Sequence, residues 1–374
     1  MEVLRIKPIN AVTPGDILGR TLYNSQGTAL LHKGSVLNDT VIKRVRDHGY
    51  VSIYVKDEFE NDLEDLVKPE IRQKAVNILR DSFRDFDKYI KYMNSNIKVT
   101  PTLLAKMRNE FAEGVEAAAE ELVSEVLRNK EVTINIVDIK CMDSYTYQHS
   151  VNVCILALAV GIEMELNQYQ LTDLAVGALL HDIGKTVIPM EILMKEGKLT
   201  DDEYEMIKEH SALGYEYLKR NIMICGLAKQ IVYQHHERID GRGYPRGLVG
   251  DQIHKYAKIV SVCDVYDALT SDRVYKAANS PGFALEYIMA NAGTQFDHEI
   301  AKMFFKRIIP YPVGSYVLLS NGEVAIVEEL NRFLALRPVV KCLRTEEVID
   351  LEKINNVVIE RLASSQFDTL AQVK

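Results

Sequence analysis

Apolar positions divide this chain into stretches of different period. From Pro69 onward, Ala75, Leu79, Phe83, Phe86, Ile90 and Met93 recur at steps of three and four, which puts them on one helical face. Pro101 interrupts this pattern, and a second helical stretch, rich in Ala and Glu, runs to about Lys130. Long paired helices at 70–130 between modules either transmit a signal or form the seam of a homodimer, or else pack as a stalk on the next domain. From Glu131 to Ile309 the pattern is mostly helical. Its longest apolar stretch, Val151 to Ile162, contains Asn152 and soon meets Glu163 and Glu165. A membrane span needs about 20 apolar residues, so this is a buried helix. Thr200-Asp201-Asp202-Glu203 has the form of a capping box, and Ser280-Pro281 places a capping hydroxyl before a first-turn proline. Gly161 and Gly293 are placed as helix stops.

The flanks read differently. Thr13-Pro14-Gly15 and Ser25-Gln26-Gly27 mark turns, Asn38-Asp39 caps a short helix carrying Val41, Ile42 and Val45 that Gly49 ends, and Val51, Ile53 and Val55 alternate as a strand does. After Pro310, three short strands are expected at Ser315–Leu319, Glu323–Glu328 and Leu334–Lys341, with Asn321-Gly322 as a hairpin turn. The expected fold is mainly α: a small N-terminal α/β module (1–65), a helical linker (66–130), a central all-α domain (131–309) and a small C-terminal β module (310–374).

Composition changes this picture little. A length of 374 residues corresponds to roughly two to three domains, and 47% apolar with 26% charged residues is ordinary globular usage, which excludes wholesale disorder. The net charge of −8 argues against a broad footprint on nucleic-acid polymers but leaves room for a local basic pocket. The start, MEVLRIKPIN, lacks the apolar core of a signal peptide. Cys141, Cys154, Cys225, Cys263 and Cys342 form no CxxC pair, which is the pattern of reduced thiols in a cytoplasmic protein.

Candidate chemistry concentrates between 149 and 267. His149, His181, Asp182, His210, His235, His236, His254, Asp264 and Asp267 fall there, while His32 and His48 are isolated and read as non-catalytic. Adjacent His181-Asp182 and His235-His236 end apolar runs. Burying that much polar surface without a partner costs several kcal/mol, and a metal supplies the partner. Imidazole with carboxylate suits first-row transition ions. An aspartate between two histidine groups can bridge two ions with its two oxygens, an arrangement that fits hydrolysis of a phosphate ester.

Three blocks carry a family resemblance. His181-Asp182-Ile183-Gly184-Lys185 resembles the HDxGK motif of HD-domain phosphohydrolases. The run from His235 to Pro245 resembles the HHExxDGxGYP motif of the HD-GYP subfamily, and Asp264 to Lys276 resembles its third block. The resemblance covers about 180 residues and implies a cyclic di-GMP phosphodiesterase that opens the ring to pGpG and onward to GMP. It implies two transition-metal ions, iron most often and manganese as a substitute, held by His149, His181, Asp182, His210, His235, His236 and Asp264, with Asp182 bridging. The position where some members add a glutamate and a third metal is Tyr145 here, with Asp143 nearby, so two ions are expected. The resemblance further implies that Asp182 and Lys185 serve catalysis and that Lys185, Arg273 and Lys276 bind substrate phosphate. Tyr244 either stacks on a base or packs inside, and Glu237 and Asp240 orient the histidines from behind. His254, His298 and Asp297 receive no chemical role. Two rival readings remain at this stage: an HD phosphohydrolase acting on another nucleotide, and a non-catalytic cyclic di-GMP receptor.

Overall fold

The computed structural model describes all residues except 1–2, 10–11, 24–28, 49, 51, 58–65, 95–99, 130–133, 136–144, 194, 196, 220, 272–278, 332–333 and 364–374. The chain is mainly α-helical, with small sheets at both ends.

At the N-terminal end, β1 (Val3–Pro8) pairs antiparallel with β4 (Ser52–Asp57), and β2 (Leu22–Tyr23) pairs with β3 (Ala29–Leu31). Helix α1 (Asp39–Asp47) starts where expected, because the Asn38 side chain accepts from the Val41 N–H. Its buried Ile42 and Val45 join Leu18, Leu37, Ile53 and Val55 in one apolar cluster. Ser25-Gln26-Gly27, Gly49 and Val51 lie outside the described residues.

The paired helices are α2 (Pro69–Asn94) and α3 (Pro101–Arg128), the second capped by Thr100 with proline in its first turn. Ala75, Leu79, Phe83, Phe86 and Ile90 are buried, and they pack into the same core as the central bundle. The paired helices thus pack on the next domain and share its core.

That bundle is built on α4 (Tyr145–Glu163), α5 (Gln168–Leu180), α7 (Asp201–Leu218), α8 (Gly226–Gln234) and α9 (Lys255–Thr270), with the short α6 (Met190–Leu193) leading into α7. From Val153 to Val160, helix α4 is apolar on every face. Val151, Val153, Leu156, Ala157, Leu158 and Val160 are all buried, which makes it the central helix. The Thr200–Glu203 capping box forms, and Ser280 caps α10 (Pro281–Ala290). Gly161, expected to stop α4, instead lies inside it. A Cβ there would stand 2.7 Å from a Leu171 methyl, so the glycine admits α5 rather than ending α4. Gly293, at φ +87°, does sit in the turn after α10. Helix α11 (His298–Arg307) leads to β6 (Ile308–Ile309), which pairs parallel with β5 (Ile134–Asn135) and so ties the two ends of the bundle together.

The C-terminal sheet has the order β10-β9-β8-β7-β11, from β7 (Tyr316–Leu319), β8 (Val324–Glu329), β9 (Val339–Cys342), β10 (Val348–Asp350) and β11 (Ile359–Leu362). Gly322, at φ +83°, makes the expected hairpin. The third expected strand begins only at Val339, because 335–337 form a turn in which Arg337 N–H bonds Leu334. The strands β10 and β11 are too short and too exposed to show an alternating pattern.

Candidate metal centre

Most of the chemistry-bearing residues sit at or near helix ends. His149 lies in the first turns of α4, His181 and Asp182 follow α5 directly, and His235 and His236 follow α8. His210 and Asp264 are in the bodies of α7 and α9. Helix α5 does not continue through Gly184. The chain tightens into a 3₁₀ turn at Ile183–Val187, which folds Lys185 back so that its Nζ donates to Asp182 Oδ2 at 2.5 Å. Gly184 is obligatory, since a Cβ there would lie 1.8 Å from the His210 carbonyl oxygen. The absent side chain lets α7 bring His210 against Asp182.

Seven expected ligands come together in two groups. His149, His181 and Asp264 form one, and Asp182, His210, His235 and His236 form the other, with the donor atoms of each group within 4.8 Å of one another. Asp182 joins the two groups. Its Oδ2 lies 3.4 Å from His181 Nε2 and 3.8 Å from His149 Nε2, and its Oδ1 lies 3.4 Å from His210 Nε2 and 3.9 Å from His235 Nε2. His149 Nε2 is 3.1 Å from Asp264 Oδ1.

The imidazoles are held from behind. His181 Nδ1 donates to the Ala178 carbonyl (2.7 Å), His210 Nδ1 to Ile207 (2.6 Å) and His235 Nδ1 to Val232 (3.0 Å). A carbonyl only accepts, so the proton sits on Nδ1 and the Nε2 lone pair faces the centre. His149 Nδ1 donates instead to Asp267 Oδ2 at 2.6 Å, and Asn152 Nδ2 donates to the other oxygen of Asp267. The sequence placed Asp267 in the cluster without assigning it a part. Its position three residues after Asp264, one turn along the same helix face, is the signal for this one.

Electrostatics favour the ligating forms of Asp182, Asp264, His210, His235 and His236. Burial pushes His210 down to about 4 and lowers His235 and His236 as well. Burial opposes ionisation of Asp182 and Asp264, but Lys185 and imidazoles at Asp182, and imidazoles at Asp264, outweigh it and hold both carboxylates well below the usual range. Burial also presses on His149, yet the flanking carboxylates of Asp264 and Asp267 raise it to about 9. A cation bound there replaces the Nε2 proton. His181 Nε2 and Asp182 Oδ1 are buried without a hydrogen-bond partner. Buried polar atoms are normally satisfied, so an orphan in each of the two groups marks a place for a ligand. The donors, neutral imidazole with carboxylate, fit divalent first-row ions.

The glycine-rich loop closes one side. The Tyr244 ring stacks on His236 with centroids 4.7 Å apart and planes at 32°. Glu237 accepts from the backbone N–H groups of Arg246 and Leu248, and Asp240 pairs with Arg238 and accepts from the Arg242 N–H. Both carboxylates thus brace the loop that carries Tyr244. Asp297 caps α11 and pairs with Lys258, and His254 caps α9. Arg273, Lys276, Asp143 and Cys141 lie outside the described residues, as does the side chain of Tyr145.

A helical bundle thus brings together two groups of His and Asp donors that could hold metal ions. The family model described as HD domain matches residues 131–300. Among curated proteins, a cyclic di-GMP phosphodiesterase of Pseudomonas aeruginosa is 40% identical over 222 residues, 59% of this chain and 53% of that protein. A cyclic di-GMP phosphodiesterase response regulator of Xanthomonas campestris is 37% identical over 240 residues, 62% of this chain and 58% of that protein. A cyclic di-GMP phosphodiesterase of Thermotoga maritima is 34% identical over 237 residues, 63% of this chain and 61% of that protein. The matched part therefore spans between half and two thirds of these relatives' own length.

Proposed function

We propose that this protein is a metal-dependent phosphodiesterase that hydrolyses cyclic di-GMP to pGpG and on to GMP. The observation that carries this reading is the division of Asp182 between the two ligand groups, one oxygen to each. It is supported by the activity named for each of the three relatives above.

His149, His181, Asp182 and Asp264 would hold one ion, and Asp182, His210, His235 and His236 the other, with iron the first choice and manganese the second. Two such ions supply Lewis acidity, lowering the pKa of water and offsetting charge on a phosphoryl group. The chain's own residues then do the rest. Backbone carbonyls and Asp267 fix the imidazole tautomers before substrate arrives, so no reorientation is needed during reaction. Lys185, partly exposed beside Asp182, presents an ammonium to a phosphate oxygen. Arg273 and Lys276 add cationic contacts to the same diester. Tyr244, braced by Glu237 and Asp240, shields the His236 side from water.

The decisive experiment is chelation followed by anaerobic Fe(II) or Mn(II) addition, with products of cyclic di-GMP, cyclic di-AMP and mononucleotides separated by chromatography. The expected result is loss and recovery of pGpG and GMP formation. Turnover that survives chelation, or that is confined to mononucleotides, overturns the proposal.

A further inference from the structure

At the outer side of the second ligand group, helix α7 carries Tyr204 and Lys208 one turn apart on its more exposed side. Lys208 Nζ lies 5.2 Å from the centroid of the Tyr204 ring and 5.7 Å from that of Tyr244. Tyr244 in turn stacks on His236. An ammonium thus lies within cation–π range of two aromatic rings, one of them in contact with a metal-ligand candidate. The Tyr204 ring is half exposed and the Lys208 side chain 27% exposed, so both are open to a ligand. In this structure the ammonium donates to Glu205 Oε1 at 2.6 Å. That is a surface i,i+3 pair, and such pairs contribute at most about 1 kcal/mol, so a ligand acceptor can replace it at little cost.

We propose that Tyr204, Lys208 and Tyr244 form a nucleobase subsite in which Lys208 reads guanine. The inference rests on the phosphodiesterase reading and adds a specificity-determining residue to it. Any base can stack on a tyrosine face, which by itself is indifferent to sequence. An ammonium, which only donates, is not indifferent. Guanine offers two acceptors on one edge, O6 and N7, whereas adenine replaces O6 with an amino donor that meets Lys208 unfavourably. A guanine that replaces Glu205 as the acceptor for Lys208 would lie beside both tyrosine rings.

The test uses the full chain loaded with Mn(II), as wild type, Lys208→Met, Lys208→Arg and Tyr204→Leu. GMP and AMP are titrated calorimetrically, which needs no turnover, and kcat and KM are measured for cyclic di-GMP and cyclic di-AMP. Lys208→Met is expected to weaken GMP binding and raise the cyclic di-GMP KM by about tenfold, with AMP and cyclic di-AMP little changed, and Lys208→Arg to retain most of the preference. Tyr204→Leu is expected to weaken both nucleotides alike. Loss by the same factor for guanine and adenine ligands in Lys208→Met, or no loss at all, overturns the inference while leaving the phosphodiesterase reading intact. Guanine-selective binding that depends on Lys208 in a protein that cleaves neither cyclic dinucleotide supports the subsite and overturns the phosphodiesterase reading instead.

Discussion

Asp182 carries more of the proposed chemistry than any other side chain, because both of its oxygens are committed and neither can be spared. Asp182→Asn keeps the shape but removes the charge and one acceptor. It should lower kcat/KM for cyclic di-GMP by about 10³-fold or more and leave fewer than two ions per chain by elemental analysis. Asp267 acts one step back. Fully buried and bonded to His149 Nδ1, it sets which nitrogen faces the centre. Asp267→Asn should weaken metal affinity by about 10- to 100-fold in a competition titration with a chromophoric chelator, with the fold retained by circular dichroism. The ligand types were legible from His181-Asp182 and His235-His236. Lys208 and Tyr204 were not, since a Lys four residues after a Tyr on a polar helix has no sequence signature distinct from an ordinary solvated face.

Among the elements, the site depends on backbones that approach closely. Gly184 faces the His210 carbonyl, and Gly214 lies with a would-be Cβ 3.1 Å from the Gly184 nitrogen, so the 3₁₀ turn and α7 meet almost backbone to backbone. Gly184→Ala should destabilise the protein by about 1–3 kcal/mol, seen as a lower thermal midpoint, and should weaken metal retention because His210 is displaced with its helix. The α11 cap offers a pH test. Partial burial raises the Asp297 pKa, but the Lys258 ammonium and the capped N–H groups of Ile300 and Glu299 outweigh it, so the net direction is down. A depressed carboxyl stabilises above its unfolded value of 3.8 and loses that contribution as pH falls through the folded value. Asp297→Asn should therefore lower the denaturation midpoint at pH 7, and the gap to wild type should narrow once pH is taken below about 4. Caps and periods were visible in the sequence. Gly161 misled, because a glycine that admits a neighbouring helix looks the same in one dimension as a glycine that ends its own.

For the whole molecule, one continuous core joins α2 and α3 to the bundle, and Phe83 of α2 meets Tyr147 edge-on, two residues before His149. Ions bound at the centre would tie α4, α5, α7, α8 and α9 together, so stability should depend on them by mass action. Chelation should lower the thermal midpoint by several degrees, and returning Mn(II) should restore it. The sequence by itself determined the helical periods, the caps, the hairpin at Asn321-Gly322 and the identity of the donors, because these depend on residues within a few positions of one another. Only the tertiary structure decided that donors separated by up to 115 positions converge, that Asp182 turns one oxygen to each group, and that Lys208 lies near two rings. Those outcomes depend on how helices cross and how closely their backbones pass, which is set by packing across the core and is not encoded in any local pattern.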